Sequence, residues 1–273
     1  MPYGLTAGLW SLDPSDGTDW ADRVDAGNAY VNRPTTGAIV GRQPFGGYKR
    51  SVVGPAAKAG GPNYVLQLCR VDDDGVPALG ADPAPAVASV LDVLDDGFDP
   101  SERAALRAAA RSDAYWWAAE FGVDHDEAML FCESNALRYR PLPGLTLRVA
   151  PGAKAFHVAR LLSGALTVGA APTVSLHPDG DELARGTRLQ GLAGLSVMVE
   201  SSADLVERVG RLEVARVRLL GSEHGLNGLE PRVHVDARAP VLLGRVELLR
   251  FLREQTVSRT LHRFGNVVPP PDG

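Results

Sequence analysis

From Pro143 onward the chain alternates short apolar runs with helix-forming stretches of about ten residues, and this alternation constrains the fold more than any other feature. Leu145–Val149, Pro172–Leu176, Leu195–Val199, Ala215–Leu219 and Arg232–Val235 read as strands. Ala153–Ser163 and Ser202–Arg211 read as helices, with Ser202 as an N-cap. Strands joined by such helices pair in parallel, because each crossover returns the chain to the same end of the sheet. An α/β fold is therefore expected. Leu243–Thr260 reads as a long closing helix, with Leu248, Leu249, Phe251 and Leu252 on one side. Val246, Glu247, Arg250, Arg253 and Glu254 fall on the other. That helix would pack on the sheet or dock a partner, and Arg259, His262 and Arg263 would form its basic end.

The first quarter has a different grammar. Gly4–Trp10 reads as a strand, Asp16–Asp25 as a helix ended by Ala26-Gly27, and Asn28–Asn32 as a second strand. Residues 33–61 are dominated by loop signals, including Pro34, Gly37, Gly41, Pro44, Gly46, Gly47, Gly60 and Gly61. Loops of that length inside a compact domain are usually functional or disordered. Ala38, Ile39, Val40 and Phe45 recur within it, which favours an ordered functional loop. Asn63–Leu68 reads as a short strand. Residues 70–100, with the acidic run Asp72–Asp74 and prolines 77, 83 and 85, read as a linker in which Ala86–Leu94 makes a helical turn or two. A helix is expected from Ser101 to Phe121. The expected division is 1–68, linker 69–100, and 101–273.

Composition removes several classes of function. The 273 residues carry 28 basic and 33 acidic side chains, without the basic surplus of a nucleic-acid binder. Two cysteines, Cys69 and Cys132, exclude a disulfide scaffold and a multi-thiolate zinc site, and point to a reducing compartment. No uncharged apolar run reaches the ~18 residues of a membrane span, and no basic-then-apolar leader opens the sequence, so a cytoplasmic location is expected. No metal site is expected. His125-Asp126-Glu127 and the run from His177 to Glu182 contain ligand types, but adjacent residues do not converge on one ion, and PDGDE reads as a turn. His157 reads as a packed or surface histidine, and Trp116 and Trp117 as core or interface.

The sharpest candidate is the loop from Thr36 to Gly47, TGAIVGRQPFGG. Small residues at Gly37 and Ala38 let backbone N–H groups approach an anion, and Phe45 between Pro44 and two glycines can set a ring against a ligand. The alternative is a tight turn around a buried ring. YGLTAGLW, AGNAYVNR, TGAIVGRQPFGG and AKAGGPNYVLQL, in that order over residues 3–68, resemble the C-terminal end of an aldehyde dehydrogenase catalytic domain. More narrowly they are similar to L-glutamate γ-semialdehyde dehydrogenases (1-pyrroline-5-carboxylate dehydrogenases), which occur alone and within bifunctional proline utilisation proteins. The resemblance implies that backbone amides at Gly37 and Ala38 hold the substrate's α-carboxylate, while Phe45 lies against its aliphatic chain. It also implies a cysteine nucleophile, a general-base glutamate and an NAD-binding half, all upstream of these motifs. None has a match here, and neither Cys69 nor Cys132 stands in the nucleophile's context.

LRYRPLPG, the strand–helix–strand run beginning LRVAPGAKAF, and GRVELLRFLREQTVSRTLHRFGN resemble the extra C-terminal domain of the longer proline utilisation proteins. That resemblance implies a Rossmann-like, aldehyde-dehydrogenase-like domain without catalysis of its own, which covers the substrate path and supports subunit contacts. The expectation is an α/β chain that is the tail of a split or truncated dehydrogenase. It would be inactive alone and need the remainder of the enzyme, with NAD bound by the complete enzyme, L-glutamate γ-semialdehyde as substrate, and self-association allowed. The alternative is a standalone interaction module. An orphaned half-domain is expected to present an open apolar edge at residues 5–10 and 29–32 and to aggregate, whereas a standalone module would be soluble and monodisperse.

Overall fold

The computed structural model describes residues 1–54, 57–95, 97–181, 186–212, 215–226, 229, 233–263 and 266–267. In chain order the elements are β1 (Tyr3–Gly4), β2 (Thr6–Leu9), α1 (Pro14–Arg23), β3 (Asn28–Val31), β4 (Tyr48–Lys49), α2 (Pro85–Leu94), α3 (Pro100–Trp116), β5 (Glu133–Pro141) and β6 (Leu145–Val149). There follow α4 (Ala155–Thr167), β7 (Thr173–Leu176), β8 (Ser196–Val199), α5 (Ser202–Gly210), β9 (Ala215–Leu220), β10 (Val233–Asp236) and β11 (Leu252–Thr260). The chain forms two compact units. One comprises Met1–Arg70, Phe121–Arg140 and Arg253–Gly273, the other Val71–Glu120 and Pro141–Leu252.

The second unit is the α/β fold expected from the alternation. Its five strands run in the order β10-β9-β6-β7-β8. Each neighbouring pair is parallel. β6, in the middle, is buried along its whole length. The chain builds outward from β6 through β7 to β8, then returns to β6's other side with β9 and β10. That is a doubly wound order with a reversal between β6 and β9. Beneath one face α5 packs Leu205 and Val209 on Val217, with Val233 and Val235 beside them. α4 is buried from Val158 to Ala165. α3 starts at a capping box in which the Asp99 carboxylate accepts from the Ser101 and Glu102 amides and Glu102 accepts from the Asp99 amide.

Several expectations need correction here. α2 is an anchored helix, with Val87, Val90 and Leu94 buried in the second unit, so residues 69–100 are not simply a linker. The N-cap of α5 is Ser201, whose hydroxyl takes the Asp204 amide. Val65–Leu68 is a 3-10 turn rather than a strand, and Val65 and Leu68 face solvent. The long closing helix is absent. Gly244–Glu247 and Leu248–Phe251 make two short helical turns, and Leu252–Thr260 is then a strand that includes Arg259. The closing stretch GRVELLRFLREQTVSRTLHRFGN extends over residues 264 and 265, which lie outside the described residues, as do Arg232 and Glu182.

The first unit holds a four-stranded sheet in the order β2-β3-β11-β5. β2 and β3 pair in parallel from Thr6↔Asn28 to Leu9↔Val31. β3 and β11 pair in parallel from Asn28↔Thr256 to Val31↔Arg259. β3 is thus an interior strand with every residue buried, and the open edge expected at residues 29–32 is absent; β2 remains an edge. α1 covers this sheet, with Ala21 against Ala29 and Val257 and with Trp20 and Val24 alongside. Among the described residues no helix is long and apolar enough to cross a membrane.

The second unit's interior also carries charge. Arg160 is fully buried and meets Asp113 through two bonds, Nη1 to Oδ2 at 2.6 Å and Nη2 to Oδ1 at 2.8 Å, while its Nε donates to the Val241 carbonyl. Removing one member of such a pair strands the other charge in a medium that solvates it poorly. Arg160→Met is expected to lower the unfolding free energy by about 3–5 kcal/mol, and Arg160→Met with Asp113→Leu to recover most of the loss. Urea denaturation of the three proteins measures both.

Candidate functional site

The loop between β3 and β4 is ordered by bonds from well outside it. Gly37 has φ +119°, a conformation that L side chains rarely adopt, and its carbonyl accepts from the Tyr30 hydroxyl at 2.8 Å. Ile39 and Gln43 pair across a tight reversal, and the Gly41 amide donates to Gly60 O at 2.9 Å. Arg33 and Arg42 both reach Glu133, the first residue of β5. The Gln43 amide group meets that of Asn135 at 2.8 Å. Burial alone would raise the Glu133 pKa, but the bonds from Arg42, Asn135 and Arg33 hold it below the usual carboxylate value.

Gly37 and Ala38 stand exposed on the outgoing limb of this loop, and their amides donate to no atom of the described residues. Their N–H groups are therefore free to meet a ligand, although nothing in the chain alone occupies them. Phe45 is half-buried in the returning limb, where its backbone exchanges two hydrogen bonds with Ala59, at 3.0 and 2.9 Å. The three residues singled out from the sequence thus lie on one loop, with Gly37-Ala38 and Phe45 on its two limbs. The next residue, Gly46, is pressed against Gly27 so closely that a Cβ on Gly27 would sit 2.0 Å from the Gly46 carbonyl oxygen.

The anchors were not visible in the sequence. Glu133 and Asn135 lie far from the loop in sequence, and β5 brings them to it; Glu254 on β11 holds the segment at Lys58 and Asn63. The local signal that existed was the charge of Arg33 and Arg42 inside a loop otherwise made of small residues.

The remaining candidates have ordinary partners. The backbone of His125 bridges to Leu137, and Asp126 accepts from the Met129 and Asn135 amides. His177 Nδ1 accepts from the Asp179 amide, closing the expected turn. Among the described residues no three His, Cys, Asp or Glu side chains form a metal-binding set. Cys69 and Cys132 are exposed free thiols. His157 is half-buried, and burial pushes its pKa down. In the second unit the reversal between β6 and β9 is where ligands enter doubly wound sheets. Here the two loops bond to each other, Ala150 N to Leu220 O and Ser222 N to Pro151 O, and a Cβ on Gly221 would meet Pro151 O at 2.5 Å. Beside them Arg148, fully buried, grips Glu223 with Nε and Nη2 and donates from Nη1 to Ser175 Oγ and Glu200 O.

The aldehyde dehydrogenase family model matches residues 1–72. The bifunctional protein PutA of Rhizobium meliloti is 48% identical over 66 residues, 24% of this chain and 5% of that protein. The human mitochondrial Δ1-pyrroline-5-carboxylate dehydrogenase is 47% identical over 68 residues, 24% of this chain and 12% of that enzyme. The solved structure of proline utilization A from Corynebacterium freiburgense superposes on 97% of this chain with a TM-score of 0.73 and 33% identity, using 24% of its own length. The first quarter of the chain is thus similar to aldehyde dehydrogenase sequence, and the fold of nearly the whole chain is similar to part of a proline utilization A. The chain spans 5–12% of the length of these curated relatives.

Two outcomes follow from the loop geometry. Glu133 contributes stability that is present above its unfolded value, near 4.5, and is lost as pH falls through its lower folded value. The amide resonances of residues 39–43 are expected to hold steady down to pH 4.5 and to move only below it; a midpoint at 4.5 or above contradicts the anchoring by Arg33 and Arg42. Gly27→Ala is expected to lower the melting temperature, equivalent to about 1–3 kcal/mol, because Gly46 must shift to admit the methyl group.

Proposed function

We propose that this chain is the C-terminal part of an NAD-dependent dehydrogenase that oxidises L-glutamate γ-semialdehyde to L-glutamate in proline degradation, and that the loop at residues 36–47 anchors the substrate. The single observation that carries the reading is the pair of exposed amides at Gly37 and Ala38, on a loop within the residues 1–72 that match the aldehyde dehydrogenase family model. A carboxylate favours preorganised N–H donors, and a side chain as small as Ala38 leaves room for it. Phe45 would lie against the substrate's methylenes, its backbone fixed by Ala59.

In this reading NAD, the nucleophile and the general base belong to the remainder of the enzyme, with which this chain works. NAD would accept the hydride when bound there. The residues of this chain bind and orient the substrate, and they exclude water on the side of Phe45. The second unit is read as an aldehyde-dehydrogenase-like domain without catalysis of its own. In support, the loops at its β6–β9 reversal are bonded to each other, and the Arg148–Glu223 pair fills the adjoining interior. A cytoplasmic location accords with this role.

The test is NADH formation from L-glutamate γ-semialdehyde by the purified chain alone, and by the chain joined to the upstream catalytic and NAD-binding part of a relative. The chain alone is expected to form none, and the joined protein to be active. In the active protein, Ala38→Leu should raise KM for the semialdehyde by tenfold or more and leave KM for NAD unchanged, because the added side chain fills the carboxylate site. Equal changes in both would overturn the assignment.

A further inference from the structure

We propose that Lys58 is a positioning residue of the substrate loop, acting as a neutral amine that fixes the peptide after Phe45 and makes the loop's grip on a carboxylate fail on protonation. The proposal rests on the reading of residues 36–47 as a carboxylate site. Lys58 is fully buried, an unusual place for an ammonium. Its Nζ donates to Gly46 O at 2.7 Å and to Asn28 Oδ1 at 3.0 Å. Asn28 Nδ2 donates to the same Gly46 carbonyl at 3.1 Å and to Leu5 O at 2.7 Å, while Thr256 Oγ1 donates to Asn28 Oδ1 at 2.9 Å. The adjacent Ala59 holds Phe45 by its backbone, so two consecutive residues grip Phe45 and Gly46. Glu254 on β11 secures the gripping segment in turn, accepting from the Lys58 amide at 2.7 Å and from Asn63 Nδ2 at 2.8 Å.

The donor count decides the protonation state that fits. A neutral amine has two N–H groups, and two acceptors face Nζ. An ammonium has three, and among the described residues the third meets no acceptor. Burial accordingly pushes the Lys58 pKa down to about 7, opposed by the charge of Glu254. Glu254 is the charged group that acts on it. The partners on β3 and the loop, Asn28 and the Gly46 carbonyl, are neutral. A third proton has to draw an acceptor toward Nζ, and among the described residues the acceptors that face it are those that place Gly46. The loop's affinity for a carboxylate should therefore fall as pH drops through the Lys58 midpoint.

The experiment is NMR on the 273-residue chain, following the Lys58 side-chain resonances and the amides of residues 37–47 from about pH 5.5 to 9. The amides of Phe45, Gly46 and Gly47 are expected to move with one midpoint, shared with Lys58 and near 7. Binding of L-glutamate, used as the probe, is expected to weaken about tenfold from one pH unit above that midpoint to one below, and to lose this dependence in Lys58→Met. A Lys58 midpoint above 9, or amides at 45–47 that do not follow it, overturns the proposal. If Lys58→Met does not fold, the wild-type titration decides alone. If L-glutamate leaves the amides of Gly37 and Ala38 unmoved while residues 45–47 still follow Lys58, the carboxylate-site reading fails and the clamp stands.

Discussion

The parallel pairing of β11 with β3 is the interaction on which the first unit depends. It inserts Thr256–Arg259 beside Asn28–Val31, turning what would be an exposed strand into the interior of a sheet. The pairing brings Glu254 to Lys58 and Asn63, and Gln255 to the Val24 and Ala26 carbonyls. β5 then adds on the far side of β11 and carries Glu133 and Asn135 to the loop. Without β11 the loop would keep its glycines and its internal reversal, but it would lose the acidic anchors that hold Arg33, Arg42 and the Lys58 segment.

The parts of this arrangement that sequence reveals are those whose burial is apolar and local. β6, β7, β8 and β9 announce themselves as runs such as LTLRV and LSVMV between helices, and the doubly wound unit follows from them. β5 and β11 do not. ESNALRYRP and LREQTVSRT are rich in charge, and in β11 the polar groups are buried because distant partners satisfy them. Arg253 meets Asp25, Gln255 accepts from Arg138, and Thr256 meets Asn28. No hydropathy pattern records a partner that lies elsewhere in the chain. The apolar positions 248, 249, 251 and 252 suit a helix, and the second short turn does use the first three, while Leu252 opens the strand. The β-branched Thr256, Val257 and Thr260 then favour a strand. In the same way the four ordered motifs of residues 3–68 pointed to the loop, while Glu133 and Asn135, which hold it from β5, belong to none of these motifs.

The second unit resolves burial differently. Two arginines buried on its strands, Arg148 and Arg218, are met by specific carboxylates. Arg148 meets Glu223, and Arg218 meets both Asp236 and Glu247, with Arg250 on the second oxygen of Glu247. Burial would raise the Asp236 pKa, but Arg238 and Arg218 hold it well below the usual carboxylate range. Pairs of this kind add little net stability over an apolar core, yet each tolerates only one partner geometry. They therefore penalise misregistered strands in a parallel sheet, whose apolar residues alone would accept several registers.

The distance in sequence between β3 and β11 has a bearing on how a ribosome makes this protein. Asn28 and Thr256 are 228 residues apart. At bacterial or eukaryotic elongation speeds, on the order of 5–20 residues per second, β3 is made roughly ten to fifty seconds before its neighbour exists. During that interval the second unit can fold, while β3 presents one unpaired flank of backbone N–H and C=O groups outside the exit tunnel. Shielding of residues 28–31 on the nascent chain is thus a requirement written into the order of the strands.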